Sequence, residues 1–273
     1  MSYLTNPYSV VPGISYTGPG NVLPLTSFWG VRAYNGAYAA ASGAAFDLRR
    51  ASDNGTMTAN FLATGALDTA AISSWAGGSN IFVSRAYDQT GNGRHVVQAT
   101  NGNQPQLLLT GGPTGKPCIE VLNNASGVLD TSSTYAASSP SSMTAVANRV
   151  SGTQGVNPVN FSANRLAGAL TATSWSVIGG AGGTLSATGI AANAWHDFQA
   201  SLVTGGTSAI RVDGTRFTGT GVAVGTGATV SRFCLGGSTS TLRVSEGGYI
   251  VGTQWSAADE SSMSANQRAY YGL

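Results

Sequence analysis

Eleven carboxylates, two histidines and two cysteines are all that 273 residues offer to acid–base, nucleophilic or metal chemistry. Cys118 and Cys234 lie far apart and match no zinc or redox spacing, which leaves two buried free thiols or one long-range disulfide. His95 and His196 are too few for a transition-metal site, so no metal or cofactor is expected. Serine is plentiful, but no Gly-x-Ser-x-Gly elbow occurs, and two histidines leave few bases to activate a hydroxyl. Most of the acids have a local use. Asp213 ends a Val-Asp-Gly turn, Asp259 and Glu260 fall in the first turn of a helix, and Asp47 and Asp53 flank Arg49 and Arg50. Glu246 is set in a strand of apolar and Gly residues, where it is a candidate ligand contact or a structural ion pair with Arg243. Asp88, Asn92 and His95 share the segment Asp88-Gln-Thr-Gly-Asn-Gly-Arg-His95. There the Asp and Asn can bond the loop's own amides and the His can fold back, giving either a self-satisfied turn or a ligand-contacting loop. One carboxylate is too few oxygen ligands for a calcium site.

The elements that must hold these residues are strands. From Phe28 onward the chain alternates short runs rich in Val, Ile, Phe, Tyr and Thr with Gly, Asn, Asp and Ser clusters, the pattern of an all-β protein. Alternation at Phe198, Ala200, Leu202 and at Ile210, Val212 gives each strand one buried face. Two stretches predict short covering helices: Leu67–Trp75, started by Asp68, and Ser256–Tyr271, capped by Ser256 with Asp259 and Glu260 behind it. Residues 1–27, rich in Pro, Gly and Tyr and free of charge, predict an extended arm and attachment segment. Residues 28–273 predict a single jelly-roll domain. Charged residues make up only 9% of the chain, and Gly, at 38 residues, has roughly twice its usual share. Thirteen basic residues against eleven acidic give a net charge of +2 with no basic stripe, so neither nucleic acid nor a polyanion is an expected partner. With no charged-then-apolar start and no apolar run of about 18 residues, neither a signal peptide nor a membrane partner is expected.

Two resemblances sharpen the fold. Trp195-His196 opening one strand, Val212-Asp-Gly214 ending the next, then Phe233-Cys-Leu-Gly-Gly237, Val244-Ser-Glu-Gly247 and a closing Tyr270-Tyr271-Gly272 resemble laminin-G-like and concanavalin-like jelly rolls. Ala45-Phe-Asp-Leu-Arg-Arg-Ala-Ser-Asp53, Gly65-Ala-Leu-Asp68 and Phe82-Val-Ser-Arg-Ala-Tyr-Asp-Gln-Thr-Gly-Asn-Gly-Arg-His-Val-Val-Gln-Ala99 resemble the catalytic domain of the α-L-arabinofuranosidase B family from about Val31 to Gln106. The implied fold is an all-β, concanavalin-like jelly-roll β-sandwich with two short helices and an N-terminal arm. Glycosidic cleavage needs two carboxyl groups roughly 5–9.5 Å apart. The resemblance places the family's nucleophilic Glu near Ala181 and its acid/base Asp at Ser238, after Gly236-Gly237. Neither position carries an acid here, and the family's cysteines near Trp75–Asn80 are absent too.

A protein without catalytic activity is therefore the expectation at this level. Sugar-binding sandwiches use aromatic faces and planar polar side chains, which makes Trp175, beside a Gly-rich loop, and Trp75, at a helix end, the leading ligand platforms. A chain this poor in charge favours association. The expected role is a virion-associated decoration or tail protein with a lectin-like jelly roll, exposed on a particle surface. Its expected partners are other virion proteins through residues 1–27, glycans, and further copies of itself. A free carbohydrate-binding module and an arabinofuranosidase-like glycoside hydrolase are the alternatives.

Overall fold

A computed structural model describes residues 16–273 except 125, 132–133, 153–154, 162–165, 172, 180–181 and 226. After a single turn, α1 (Pro19–Val22), the chain runs through β1 (Ser27–Gly30), α2 (Gly36–Ala40), β2 (Ala44–Arg50), β3 (Thr56–Asn60), α3 (Thr69–Ala76), β4 (Ile81–Ala86), β5 (Val96–Val97), β6 (Gln106–Leu108), β7 (Cys118–Val121), β8 (Leu129–Thr131) and β9 (Tyr135–Ala137). It continues with β10 (Ser141–Ser151), β11 (Asn157–Phe161), β12 (Leu166–Leu170), β13 (Ser174–Gly179), β14 (Thr184–Thr188), β15 (His196–Leu202), β16 (Ser208–Val212), β17 (Thr215–Gly219), β18 (Gly227–Thr229), β19 (Ser231–Leu235), β20 (Thr241–Val251) and α4 (Ala257–Tyr271). The fold is the all-β jelly-roll sandwich expected, and every strand pairing is antiparallel.

Eighteen of the strands form one continuous sheet that forks at β4, and β9 and β18 pair separately. From the Arg85 end of β4, pairing passes through β5, β8, β19, β11, β12 and β13 to β14. From the Phe82 end it passes through β6, β7, β20, β10, β15 and β16 to β17. Strands β2 and β3 flank the fork on its other side. The two arms fold over each other with their apolar faces inward. Trp175 of β13 stacks on Phe198 of β15 with ring centroids 3.9 Å apart, and Trp29 of β1 stacks on Phe233 of β19 at 5.8 Å. Large aromatic pairs of this kind add to the area they bury and fix the spacing of the two layers.

Both expected helices are present with the caps their sequences imply. The Asp68 carboxylate accepts from the Ala71 N–H at 3.0 Å and starts α3, which ends on Gly77 in the left-handed region (φ 57°). Ser256 and Asp259 cap α4 reciprocally, at 3.2 and 2.9 Å. Helix α4 lies on the outer face of β15. That helps explain why all seven residues His196–Leu202 are buried: Phe198, Ala200 and Leu202 face the core, Asp197 and Gln199 face the helix, and Ser201 donates to the Trp255 carbonyl just before it. Of the expected arm, residues 1–15 lie outside the described residues. Tyr16 donates to the Ala33 carbonyl, and Leu25 joins Phe28, Tyr34, Trp255 and Met263 in a small second core. No helix among the described residues is long and apolar enough to cross a membrane.

Candidate functional site

The residues singled out from sequence separate into sealed and open sets. Glu246 is fully buried, paired through both carboxylate oxygens with Arg32 rather than with Arg243. Gln267 and Tyr271 of α4 donate to the same carboxylate at 2.8 and 2.9 Å. Burial works against the Arg32 charge, but the Glu246 carboxylate more than restores it and holds the guanidinium in its charged form. The Arg32 guanidinium also lies 4.7 Å from the centroid of the Tyr270 ring. The network continues through Gln267 to Gln199 (2.7 Å) and from Gln199 to the buried Asp197 (3.1 Å), which also accepts from Ser264 at 2.5 Å. Burial raises the Asp197 carboxyl above the usual range, despite those donors.

Asp88 has its lone pairs filled by the backbone N–H groups of Phe28, Thr90 and Arg94, while its own N–H donates to His95 Nδ1 at 3.0 Å. Asn92 donates to the Thr26 carbonyl at 2.9 Å, so the Asp88–His95 segment staples β1 to the fork. Trp175 has no face open to solvent. Trp75 is partly buried against the core, with the Arg50 guanidinium 5.4 Å from the centroid of its ring. Cys118 and Cys234 are both buried and free, and burial pushes the Cys118 thiol up to about 12. Among the described residues no three His, Cys, Asp or Glu side chains gather as a metal site. Of the positions the family resemblance marks for catalytic acids, Ala181 lies outside the described residues, and Ser238 sits in the turn closed by the Gly237–Ser240 bridge.

The open set is on the outer face of the fork. Residues directly opposite one another on antiparallel strands share a face, and register therefore assembles two polar rows there. One runs Thr58, Asp47, Arg85, Val97, Asp130, Arg232 and Asn160 across β3, β2, β4, β5, β8, β19 and β11. The other runs Thr56, Arg49, Phe82, Gln106, Glu120, Arg243 and Asn148 across β3, β2, β4, β6, β7, β20 and β10. Between them lie three depressions. One of ≈460 Å³ is walled by Asp47, Thr56, Met57, Thr58 and Ser84, and one of ≈350 Å³ by Asp47, Ser84, Arg85, Val97, Gln98 and Gln104. The third, ≈250 Å³, lies among Phe82, Asn103, Gln104, Gln106, Glu120 and Leu122. Asp47 and Ser84 are shared by the first two and Gln104 by the last two, so the three form one groove.

Asp47 is the carboxylate at its centre. It accepts from Thr58 Oγ1 at 2.8 Å and from the Tyr87 hydroxyl at 3.1 and 3.2 Å, and it pairs with Arg85 at 3.2 Å, while keeping 27% of its side chain exposed. Arg49 pins the wall by donating to Gln104 at 2.7 Å, to Asn54 at 3.0 Å and to the Asn101 carbonyl at 3.2 Å. Burial raises the Asp130 carboxyl, an effect that its partner Arg232 only partly offsets. Asp47 and Asp130 are three strand spacings apart in one row, roughly 14 Å, too far to act across one glycosidic bond.

Comparison with known proteins bears on these rows. Residues 20–154 match the family model described as Alpha-L-arabinofuranosidase B, catalytic. The chain resembles that catalytic domain. Among solved structures, a mutant GH54 α-L-arabinofuranosidase soaked with 4-nitrophenyl α-L-arabinofuranoside superposes with a TM-score of 0.68 at 19% identity over 93% of this chain. An arabinofuranosidase complexed with arabinofuranosyl-α-1,2-xylobiose gives 0.66 at 18%, also over 93%. The chain spans just under two thirds, 66% and 65%, of those two proteins. The binding domain of Paraclostridial Mosquitocidal Protein 1 shares the fold at a TM-score of 0.50 and 10% identity, over 83% of this chain and 52% of that one. No curated protein matches in sequence.

At such identities the structures establish the fold. The match to a catalytic-domain family overturns the expectation of a protein without enzymatic activity and points to a glycosidase. That expectation rested on acids missing at Ala181 and Ser238, whereas the match covers the N-terminal half, where Asp47, Glu120 and Asp130 line up on one outer face.

Proposed function

We propose that this chain is a glycoside hydrolase of the arabinofuranosidase kind, and that its groove over Asp47 receives a furanosyl sugar. One positional observation carries the reading: the segment that matches the catalytic-domain family, residues 20–154, contains every wall of the groove. Sugar cleavage develops positive charge at the anomeric carbon, and of the two carboxyl groups it uses, the solvent-reaching one beside that carbon stabilises the charge and takes a proton from attacking water, while a leaving group other than an activated aryl one takes its proton from a second acid. In this reading Asp47 does that work. Thr58, Tyr87 and Arg85 fix its orientation, which makes Tyr87 a positioning residue.

An aryl leaving group departs without being protonated, so 4-nitrophenyl α-L-arabinofuranoside isolates the contribution of the base. The purified chain is expected to release nitrophenolate, with the rate lost in Asp47→Asn at unchanged melting temperature. Folded wild-type protein that turns over neither the aryl glycoside nor arabinose-decorated xylan would refute the proposal. Attachment to a particle through residues 1–27, and self-association favoured by the low charge, are separate proposals. Fractionation of a producing lysate with full-length and arm-deleted chains tests both.

A further inference from the structure

Arginine keeps its charge when buried, so a buried guanidinium needs an answering group. Arg149, near the end of β10, lacks one. It is 5% exposed, and its Nε and Nη1 meet no acceptor; no other described residue leaves two buried side-chain atoms without a partner. None of the eleven carboxylates is left to pair with it, because each is engaged elsewhere in an ion pair or as a helix or loop cap. Register turns the side chain inward. Arg149 stands opposite Leu242, and Leu242 opposite Val121, both core residues, while Ala145 and Ala147 precede it on the same face. In that core the Trp175 indole N–H is a further buried donor with no acceptor. A charge so placed destabilises the fold unless something outside the chain answers it. The end of β10 offers the way in. Ser151 and Gly152, just beyond Arg149, are exposed, as is Asn193, whose N–H donates to the Arg149 carbonyl at 3.1 Å. On its other side Gly152, at φ 97°, lies so close to the Thr239–Ser240 backbone that a Cβ would stand 2.0 Å from the Thr239 carbonyl oxygen.

We propose that Arg149 anchors a binding site for a small carboxylate-bearing ligand, which enters between the turns at the end of β10. A planar guanidinium takes a carboxylate through two parallel N–H groups, and its single positive charge matches a single negative one. A residue so nearly enclosed admits a small ligand rather than a protein surface. The site is separate from Asp47 and does not depend on the glycosidase reading. Thermal melting of the intact chain with millimolar acetate as the probe, at fixed ionic strength, is the test. A ligand bound by the folded state alone raises the melting temperature. Acetate should do so saturably, whereas acetamide, its neutral counterpart, and chloride should not. Arg149→Met, which removes the charge and keeps most of the length, should abolish the acetate shift and raise the ligand-free melting temperature by roughly 2–4 °C. Arg149→Lys, which keeps the charge without the planar fork, should raise the half-saturating acetate concentration by roughly fivefold or more. The inference is overturned by a wild type without a saturable acetate shift, by a shift that acetamide or chloride reproduces, or by one that survives Arg149→Met or is unchanged in Arg149→Lys. A ligand-free Arg149→Met that melts below the wild type also overturns it, since the guanidinium would then be answered within the fold. Arabinofuranoside turnover enters none of these readouts, so this inference and the glycosidase reading stand or fall separately.

Discussion

The sealed layer beneath α4 and the open groove at the fork are built from the same parts, Asp or Glu against Arg, with hydroxyls and amides around them, yet they can do different things. Beneath the helix, Arg32 and Glu246 have no exposed side-chain surface, and Gln267 and Tyr271 complete the carboxylate's hydrogen bonds. In the groove, Asp47 and Arg85 keep 27% and 43% of their side chains in solvent, and their lone pairs and N–H groups are open to exchange for those of a ligand. Removing a charge from water costs several kcal/mol, so a sealed pair is committed to its partner, while an exposed pair binds its partner weakly and can be recruited. Access, more than residue type, separates scaffold from site here. The same criterion disqualifies Asp197 and Asp213. Both stand within 4.0 Å of Arg268 Nη1, close enough to each other for sugar chemistry, but Asp197 is fully buried.

The largest effect expected from this contrast is in the sealed layer. Glu246→Ala strands a buried guanidinium and should cost about 3–5 kcal/mol in denaturant-monitored unfolding. A loss below about 1 kcal/mol would mean that Arg32 finds water or another partner, and that the layer is less closed than its geometry shows. The groove should respond the other way round. Asp47→Asn should lower aryl-arabinofuranoside turnover by roughly 10²–10⁴, the usual contribution of a positioned acid or base. Its stability should change by about 1 kcal/mol or less, as for other exposed pairs. If the two effects were interchanged, so that Asp47→Asn unfolded the chain and Glu246→Ala spared it, the division between scaffold and site would fail.

Much of the fold was legible because its signals are local. Asp68 and Ser256-Ala-Ala-Asp259 announce their helices within a few residues, and the alternation of Phe198, Ala200 and Leu202 shows its buried face directly. The groove was not legible, because its neighbours are set by register. Along the chain Asp47 reads as a partner of Arg49 or Arg50, but its side chain meets Arg85 and Thr58 on the adjacent strands. Opposed residues lie nearer, at roughly 5 Å, than the next outward residue on the same strand, at roughly 7 Å. On the same grounds Glu246, where it is not a ligand contact, reads as a partner of Arg243. The structure instead gives it Arg32, 214 residues away, and gives Arg243 to Glu120. In sequence Trp175 stands shortly before the Gly-rich segment 179–183, which makes its ring look accessible. Within the strand, however, Trp175 and Val177 point inward, and alternation decides the exposure of the ring.

The smallest effect expected is a pH dependence in the neutral range that belongs to the rim of the sealed layer. At the rim of the sealed layer the ring N–H groups of His196 donate to Asp213 Oδ2 at 2.6 Å and to the Ala191 carbonyl at 2.8 Å. Burial alone would lower its pKa, but these partners outweigh burial and raise it. A histidine raised on folding contributes stability that is complete below its unfolded value of about 6.5 and is lost as pH climbs through the folded one. Asp130, on the same outer face as the groove, and Asp197, in the sealed layer, are raised by burial as well, so their contributions are complete below an unfolded value of about 3.9 and fade in the acid range above it. The melting temperature should therefore fall by a few degrees from pH 6 to pH 8, and His196→Gln should flatten that fall while leaving the acid-side profile unchanged. Asp130→Asn should alter only the acid side. A His196→Gln profile still sloping between pH 6 and 8 would place the neutral-range titration elsewhere and remove the rim of the sealed layer from the comparison.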